Sequence, residues 1–142
     1  MSLHVLDTDH FTLYRYGHET VTRRVEAVRA DQLAITIITI EEQLTGWYTQ
    51  VRQARSAEKL TRAYAGLFQA TEAIGRVQVL PFTAGAVQRY LELRKKLRRV
   101  GKLDLAIAAI VLEADGIVAT RNRGDFGQVP NLRIEDWTAP QS

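Results

Sequence analysis

Short apolar runs alternate along this chain with longer segments in which apolar residues recur at every third or fourth position. The apolar runs, which predict strands, are residues 3–6, 33–40, 77–80, 117–120 and 132–134. The periodic segments predict helices that begin near residue 10 and then cover residues 19–30, 41–54, 57–74, 84–99 and 103–114. Strands that alternate with helices predict an α/β fold, a three-layer α/β/α sandwich around a central, mainly parallel sheet.

The composition is that of an ordinary globular protein. The chain has 142 residues, of which 46% are apolar and 25% are charged. This length predicts one domain over residues 1–138, followed by a short tail at residues 139–142. No apolar run is long enough to span a membrane, no leader pattern precedes the first strand, and the lack of cysteine excludes disulfides and thiolate metal sites. We therefore expect a cytoplasmic protein with no membrane contact.

Four acidic residues stand at the ends of these predicted elements, namely Asp7, Glu42, Asp104 and Asp125. Three of them come after a predicted strand, and Asp104 opens a predicted helix. Since the carboxyl ends of parallel strands share one edge of a sheet, we expect these carboxylates to meet there. Carboxylates that meet repel one another, and a divalent cation removes that cost. The pattern therefore favours a site for Mg²⁺ or Mn²⁺ and, with it, phosphodiester chemistry.

Each of these acids also has a purely local explanation. Asp7 and Asp9 are suitable helix N-caps. Glu42 and Asp104 suit the first turn of a helix, where the helix dipole favours a negative charge. Asp125 fits a turn. The coincidence of all four acids at one predicted sheet edge favours the cation site over these separate explanations.

A basic segment leads up to the third acid. Six of the nine residues from 94 to 102 are basic, namely Arg94, Lys95, Lys96, Arg98, Arg99 and Lys102. The net charge of the whole chain is only +3, so this segment is a local concentration of charge. It is interpreted either as the solvated face of a helix or as a surface that steers phosphates toward Asp104, with Arg94, Arg98, Arg99 and Lys102 as candidate RNA contacts.

Four sequence blocks carry a resemblance to a known family. They are Val5-Leu6-Asp7-Thr8-Asp9, the segment from Ile37 to Gly46, the run Asp104-Leu105-Ala106-Ile107-Ala108-Ala109, and the segment from Val118 to Trp137. Together, in this order, they resemble the PIN-domain ribonucleases, in particular the VapC-type toxins of type II toxin–antitoxin pairs. The resemblance spans nearly the whole chain.

The resemblance implies particular roles for individual residues. The metal-binding and catalytic acids would be Asp7, Glu42, Asp104 and Asp125, and supporting polar residues would be Thr8, Asp9, Thr120 and Asn122. In the second block the acid is Glu42 and not Glu41. Two positions depart from the family pattern. Asp9 stands where many members have Asn, and Asn131 stands where Gly is common, although Asn tolerates the left-handed backbone of a turn.

The resemblance also implies a function and partners. We expect a toxin endoribonuclease that hydrolyses RNA phosphodiester bonds with metal-activated water, using Mg²⁺ or alternatively Mn²⁺. A VapB-like antitoxin would block the site with its C-terminal segment, and the protein would form a homodimer. Four aromatic residues of the two middle helices, Trp47, Tyr48, Tyr64 and Phe68, are interpreted either as core or as part of the groove for the antitoxin and the dimer contact.

Two other functions are compatible with parts of the sequence. An apolar strand followed by Asp-x-Asp also resembles the start of haloacid-dehalogenase-like phosphatases, which form an aspartyl-phosphate on the first Asp. Here that residue would be Asp7, although His10-Phe11 stands where such enzymes have Gly-Thr or a similar pair. Alternatively, the chain is a non-catalytic RNA-binding regulatory module that uses the basic segment, and the removal of Asp104 would then leave its biological effect intact.

Overall fold

Five short strands form the centre of this protein, for which a computed structural model describes residues 2–140. Within these residues all strand pairs are parallel, and the strand order is β3-β2-β1-β4-β5. The strands are β1 (His4–Leu6), β2 (Leu33–Thr36), β3 (Gln78–Leu80), β4 (Ile117–Ala119) and β5 (Arg133–Glu135). Every residue of β2 and β4 is buried, as expected for inner strands of a sheet covered on both faces.

Seven α-helices connect and cover these strands in the described part of the chain. They are α1 (Thr8–Arg15), α2 (Glu19–Ala27), α3 (Ile37–Gln53), α4 (Ala57–Ile74), α5 (Ala84–Lys96), α6 (Lys102–Glu113) and α7 (Arg123–Phe126), and a 3₁₀ turn covers Ala30–Gln32. Side-chain oxygens cap several helix starts by accepting the backbone N–H three residues ahead. These caps are Asp7 for α1, Thr36 for α3, Ser56 for α4 and Thr83 for α5.

Two apolar clusters cover the two faces of the sheet. On one face α5 and α6 pack against Val5, Ala34 and Val118, and α6 is buried from Leu105 to Val111 without interruption. On the other face α1 and α2 pack around Leu6, Ile35 and Ala119, with residues of α4 and the C-terminal segment, including Trp137. Strand neighbours alternate between the two clusters, since successive side chains of a strand point to opposite faces. The predicted three-layer α/β/α sandwich with a parallel sheet is thereby confirmed.

The strand order places the start of the chain at a functionally favourable position. From β1 the sheet continues through β2 and β3 on one side and through β4 and β5 on the other. In open parallel sheets such a reversal of direction opens a crevice at the carboxyl ends of the strands, where ligands bind. Asp7 lies at this point, directly after β1, and its backbone N–H donates to Ala119 O of β4 at 3.1 Å. The crevice next to Asp7 is therefore the candidate position for a functional site.

The strand predicted at residues 33–40 is shorter in the structure. It ends at Thr36, and α3 begins at Ile37 and not near Glu41. The β-branched residues in this segment favour a strand, but Thr36 accepts the N–H of Thr39 at 3.3 Å and starts the helix. As a result, Glu42 does not directly follow a strand. It lies in the second turn of α3, so the helix dipole at a first turn does not explain it.

Smaller differences occur at other boundaries. The predicted helix at residues 19–30 ends at Ala27, and the one at residues 84–99 ends at Lys96. The short helix α7 was not predicted; Asp125 lies in it and not in an open turn directly behind β4. Asn131 has φ of 66°, which confirms the left-handed backbone expected there.

Within residues 2–140 the structure has no helix that is both long and apolar enough to cross a membrane. Of the predicted tail at residues 139–142, the last two residues lie outside the described part of the chain.

Candidate metal centre

The predicted acids approach one another from four different segments of the chain. Asp7 caps α1 directly after β1, Glu42 belongs to α3, Asp104 lies in the first turn of α6, and Asp125 lies in α7. Three of them line a cleft of about 640 Å³ at the carboxyl ends of the strands. Its lining consists of Asp7, Thr8, Asp9, Thr12, Glu42, Asp104, Arg121 and Asn122. The cleft lies at the crevice that the strand order predicts.

The pKa of Asp104 shows that other carboxylates lie close to it. Burial, followed by a hydrogen bond shared with Asp125, raises the pKa of Asp104 to about 6. The negative charges of Asp125, Asp7 and Glu42 contribute to this same rise, in that order of size. An acid with this pKa gives up its proton only against the repulsion of its neighbours. The other three predicted acids therefore all act on Asp104, and a cation among them would relieve this repulsion.

Asp7 is the most firmly fixed of these acids. It is 5% exposed, and its Oδ1 accepts the His10 backbone N–H at 2.8 Å. The Nδ1 of the fully buried His10 lies 3.5 Å from the same oxygen. Since His10 Nε2 accepts the Trp137 backbone N–H at 3.1 Å, the ring proton resides on Nδ1, which faces Asp7. Asp7 is thus both an N-cap and a member of the cluster, and these two interpretations are compatible.

His10 is fixed next to the cleft by a contact that the sequence did not reveal. Its position three residues after Asp7 was visible, but the backbone amide that fixes its ring comes from residue 137 and is distant in sequence. A buried histidine next to an acid of the cleft is the kind of outer support that orients metal ligands.

Glu42 is held by a hydroxyl from the opposite side of the cleft. Thr8 Oγ1 donates to Glu42 Oε1 at 2.6 Å, and the same hydroxyl lies 3.0 Å from Thr39 Oγ1. Since Thr8 begins α1 and Glu42 lies in the second turn of α3, this hydrogen bond joins the two helices across the cleft. The carboxylate is thereby fixed in direction.

Asn122 connects the remaining two acids. Its Nδ2 donates to Asp104 Oδ2 at 3.3 Å, and its Oδ1 accepts the Asp125 backbone N–H at 3.2 Å, which starts α7. The buried Thr120 accepts the Asn122 backbone N–H at 2.9 Å and so fixes the loop behind β4. The polar residues expected to support the site, Thr8, Asp9, Thr120 and Asn122, all lie at or behind the cleft. Their functional roles remain predictions.

Asp9 forms an ion pair with a basic residue, Arg121. Arg121 donates from Nε to Asp9 Oδ2 at 2.7 Å and from an Nη to Asp9 Oδ1 at 3.0 Å. These hydrogen bonds, and then the charge of Asp9, raise the pKa of the Arg121 guanidinium further above its ordinary value. Both oxygens of Asp9 are therefore occupied by a guanidinium that stays charged.

Two overlapping groups of side chains are candidates for cation ligands. The first is the set around Asp104, whose members act on its charge, and the second consists of Asp7, Asp9 and His10. Among the described residues, only the second group has three ligand atoms within 4.8 Å of one another. In the second group Arg121 occupies both oxygens of Asp9, and Nδ1 of His10 carries the ring proton. The set around Asp104 offers carboxylate oxygens alone, as Mg²⁺ prefers.

The basic segment lies elsewhere. It covers the last turn of α5, the connection, and the first residue of α6, so it is not a single helix face. Arg94, Arg98 and Lys102 line a separate groove of about 660 Å³ between these helices, and none of them lines the acidic cleft. An RNA contact at Arg94, Arg98, Arg99 and Lys102 remains a prediction.

The aromatic residues of α3 and α4 are mostly not core residues. Tyr48, Tyr64 and Phe68 are 45%, 54% and 63% exposed, so their interpretation as core is wrong. Trp47 is half-buried against Gly66, where the two helices approach each other closely. The two helices thus carry an exposed aromatic surface.

The family to which the chain belongs follows from comparison with known domains. The model of the PIN domain family matches residues 5–132, which is most of the chain. The chain therefore belongs to the PIN domain family. Among curated relatives, the protein named Ribonuclease VapC2 from Rickettsia felis is 31% identical over 68 residues. That match spans 45% of this chain and about half, 51%, of the relative.

Solved structures share the fold over nearly the full length. A DNA-bound VapBC from Salmonella typhimurium has a TM-score of 0.76 and 26% identity, covering 96% of this chain and 99% of the matched chain. VapBC2 from Rickettsia felis, bound to a DNA fragment from its promoter, has a TM-score of 0.74 and 23% identity, covering 95% and 98%. The sandwich architecture is therefore shared with these proteins.

Proposed function

We propose that this protein is an endoribonuclease that depends on a divalent metal and acts as the toxin of a toxin–antitoxin pair. One observation carries the proposal: burial and three other carboxylates, from distant parts of the chain, raise the pKa of Asp104 to about 6 at the crevice of a PIN fold. The relative named Ribonuclease VapC2 supports RNA as the substrate. Mg²⁺ is the proposed cofactor, with Mn²⁺ as the alternative, because all ligands on offer are carboxylate oxygens.

The proposed role of each residue follows from its contacts. Asp7, Glu42, Asp104 and Asp125 would hold the metal and are the proposed catalytic acids. One oxygen of Asp7 is used by the backbone of α1, which leaves the other free to face the cleft. Thr8 fixes the direction of Glu42, and Asn122 fixes Asp104. The bound metal would supply an activated water and neutralise charge on the scissile phosphate.

We favour the nuclease over the phosphatase alternative. Asp7 is 5% exposed and one of its oxygens accepts the N–H of His10, which leaves little room for a phosphoryl group on this residue. The membership in the PIN domain family points the same way. The non-catalytic RNA-binding module remains the alternative that experiment must separate from the nuclease.

The proposed partner is a VapB-like antitoxin, as in the VapBC complexes of similar fold. A groove of about 430 Å³ between α1 and α3 shares Thr12 and Glu42 with the acidic cleft and continues past Trp47. An antitoxin C-terminal segment lying in this groove would bring a basic side chain to the carboxylates and compete with the metal. The exposed aromatic surface of α3 and α4 would serve the antitoxin and a homodimer contact. We place the protein in the cytoplasm, where RNA and antitoxin are available.

The decisive experiment uses the purified, antitoxin-free protein on total cellular RNA, with Mg²⁺, Mn²⁺ or EDTA, and maps the cut ends. Wild type is expected to give discrete cuts with metal and none with EDTA. Asp7→Asn and Asp104→Asn are expected to abolish the cuts while circular dichroism shows an intact fold. Asp31→Asn, which removes an exposed acid outside the cleft, is the matched control and should cut normally. Folded wild type that binds RNA without cutting it under any metal would favour the binding module.

A further inference from the structure

Arg121 has an unusual position among the basic residues of this protein. Of the described residues that line the acidic cleft, it alone is basic, and the others that are charged are carboxylates. It follows the buried Thr120 at the end of β4, so its backbone is fixed by the sheet while its guanidinium reaches across to α1. A cleft that must accept an RNA phosphate therefore contains one positive side chain of its own.

Asp9 holds Arg121 in an ion pair that another anion can replace. The ion pair with Asp9 uses two hydrogen bonds, and its side chains are 52% and 45% exposed. Exposed ion pairs contribute little to stability because water screens them, so a competing anion displaces such a pair easily. A phosphate presents the same two-oxygen geometry to the guanidinium fork as the carboxylate of Asp9 does.

We propose that Arg121 binds the RNA backbone phosphate at the cleft and that Asp9 holds the guanidinium in place until the RNA arrives. This inference rests on the proposed function, since it names how the same cleft takes hold of its substrate. It gives Asp9 a role different from that of the neighbouring acids: Asp9 positions Arg121 and does not bind the metal.

The test measures RNA binding separately from cleavage. A short fluorescein-labelled single-stranded RNA is titrated with the full-length protein by anisotropy, with Ca²⁺ in place of Mg²⁺, over a range of salt concentrations, and a gel checks that the RNA stays intact. The key variant is Asp9→Asn/Arg121→Gln, which removes both partners and leaves the net charge unchanged. Arg23→Gln removes one cation from a comparably exposed ion pair on α2 and serves as the control.

The expected results are specific. Arg121→Gln and the double variant each weaken RNA binding roughly tenfold, because one charge-assisted phosphate contact is lost. Their plots of log Kd against log salt concentration flatten by about 0.7, the value for one contact with a single strand. Arg121→Lys keeps the slope and recovers part of the affinity. The control Arg23→Gln leaves the slope unchanged.

Asp9→Asn provides the second arm of the test. RNA affinity should rise or stay equal, since Arg121 no longer has to leave a carboxylate, and the Mg²⁺ affinity measured by calorimetry should not fall. A double variant that binds RNA like wild type would overturn the proposal and reduce the ion pair to a surface contact. A loss of Mg²⁺ binding in Asp9→Asn would also overturn it. In both cases wild-type cleavage of RNA would still support the nuclease, so the two failures are distinguishable.

Discussion

Replacing Asp104 by Asn is predicted to make the metal-free protein more stable, although it removes a residue of the proposed active site. The substitution keeps the size of the side chain and removes its charge. In wild type that charge forms against the repulsion of Asp125, Asp7 and Glu42, with partial burial as the largest opposing effect. The folded protein therefore loses stability when Asp104 ionises, and the variant avoids this loss.

The size of the gain follows from the pKa. A rise from 3.8 to about 6 is about two units, which corresponds to about 3 kcal/mol as an upper limit at 1.36 kcal/mol per unit. Since Asp104 is only partly buried, solvent screening reduces this to roughly 1–2 kcal/mol. For a chain of this size the expected rise in Tm is about 3–6 °C.

The direction in which stability changes with pH follows from the raised pKa of Asp104. The folded state holds the Asp104 proton more tightly than the unfolded state, so its contribution to wild-type stability is fully present below pH 3.8 and is lost as the pH rises through about 6. The advantage of Asp104→Asn is therefore largest above about pH 6 and disappears toward pH 4.

Differential scanning calorimetry in EDTA at neutral and at acid pH measures this effect, with Asp31→Asn as a control for the loss of an exposed acid. Added Mg²⁺ should reverse the order. At a hundredfold excess over its Kd a ligand stabilises by about 2.7 kcal/mol, which wild type gains and the variant loses in large part. A variant that melts below wild type in EDTA at neutral pH would show that the charge of Asp104 does not destabilise the metal-free fold. A variant that gains as much stability from Mg²⁺ as wild type would show that Asp104 does not bind the ion.

Three further predictions concern the cleft and its surroundings. The Mg²⁺ affinity measured by calorimetry should weaken about tenfold per pH unit below pH 6, because a proton competes with the cation for Asp104; a flat profile would remove Asp104 from the site. Gly66→Ala should cost roughly 1–3 kcal/mol in urea denaturation, since a Cβ there overlaps the ring of Trp47. Gly46→Ala, with open space around it, should be neutral or stabilising, and equal effects of the two would contradict the close packing. His10→Phe should lower stability by about 1–3 kcal/mol, because a buried backbone N–H loses its acceptor; unchanged stability would argue against this hydrogen bond.

The sequence predicted much of the architecture, because hydrophobic periodicity reflects which side of each element is buried. The helix Ala57–Ile74 was predicted at its observed bounds, and the parallel sheet followed from the alternation of elements. The error at residues 33–40 arose because β-branched residues favour strands, whereas a single threonine cap decides where α3 begins. A side-chain hydrogen bond of this kind leaves no periodic signal.

The candidate site, too, was predicted only in part from the sequence. The four acids were visible because each stands close to a boundary of a predicted element, and parallel strands end at one edge of the sheet. The boundary before Glu42 was predicted too late in the chain, and Glu42 lies in the second turn of α3. The contacts that fix them were not visible, because His10 meets residue 137 and Asp9 meets Arg121 across more than a hundred positions. Such pairings depend on tertiary packing, to which a single sequence gives no spacing rule.

The most direct test of the central claim, that the four acids form one hard-cation site, is a crystal structure of the protein grown with Mn²⁺, with the ion located by anomalous scattering. We predict Mn²⁺ among the carboxylates of Asp7, Glu42, Asp104 and Asp125, with ligand distances of about 2.1 Å, typical of a small hard cation. Asp9 should remain outside the coordination sphere. Mn²⁺ bound by Asp7, Asp9 and His10, or no Mn²⁺ in the cleft at a saturating concentration, would contradict the claim.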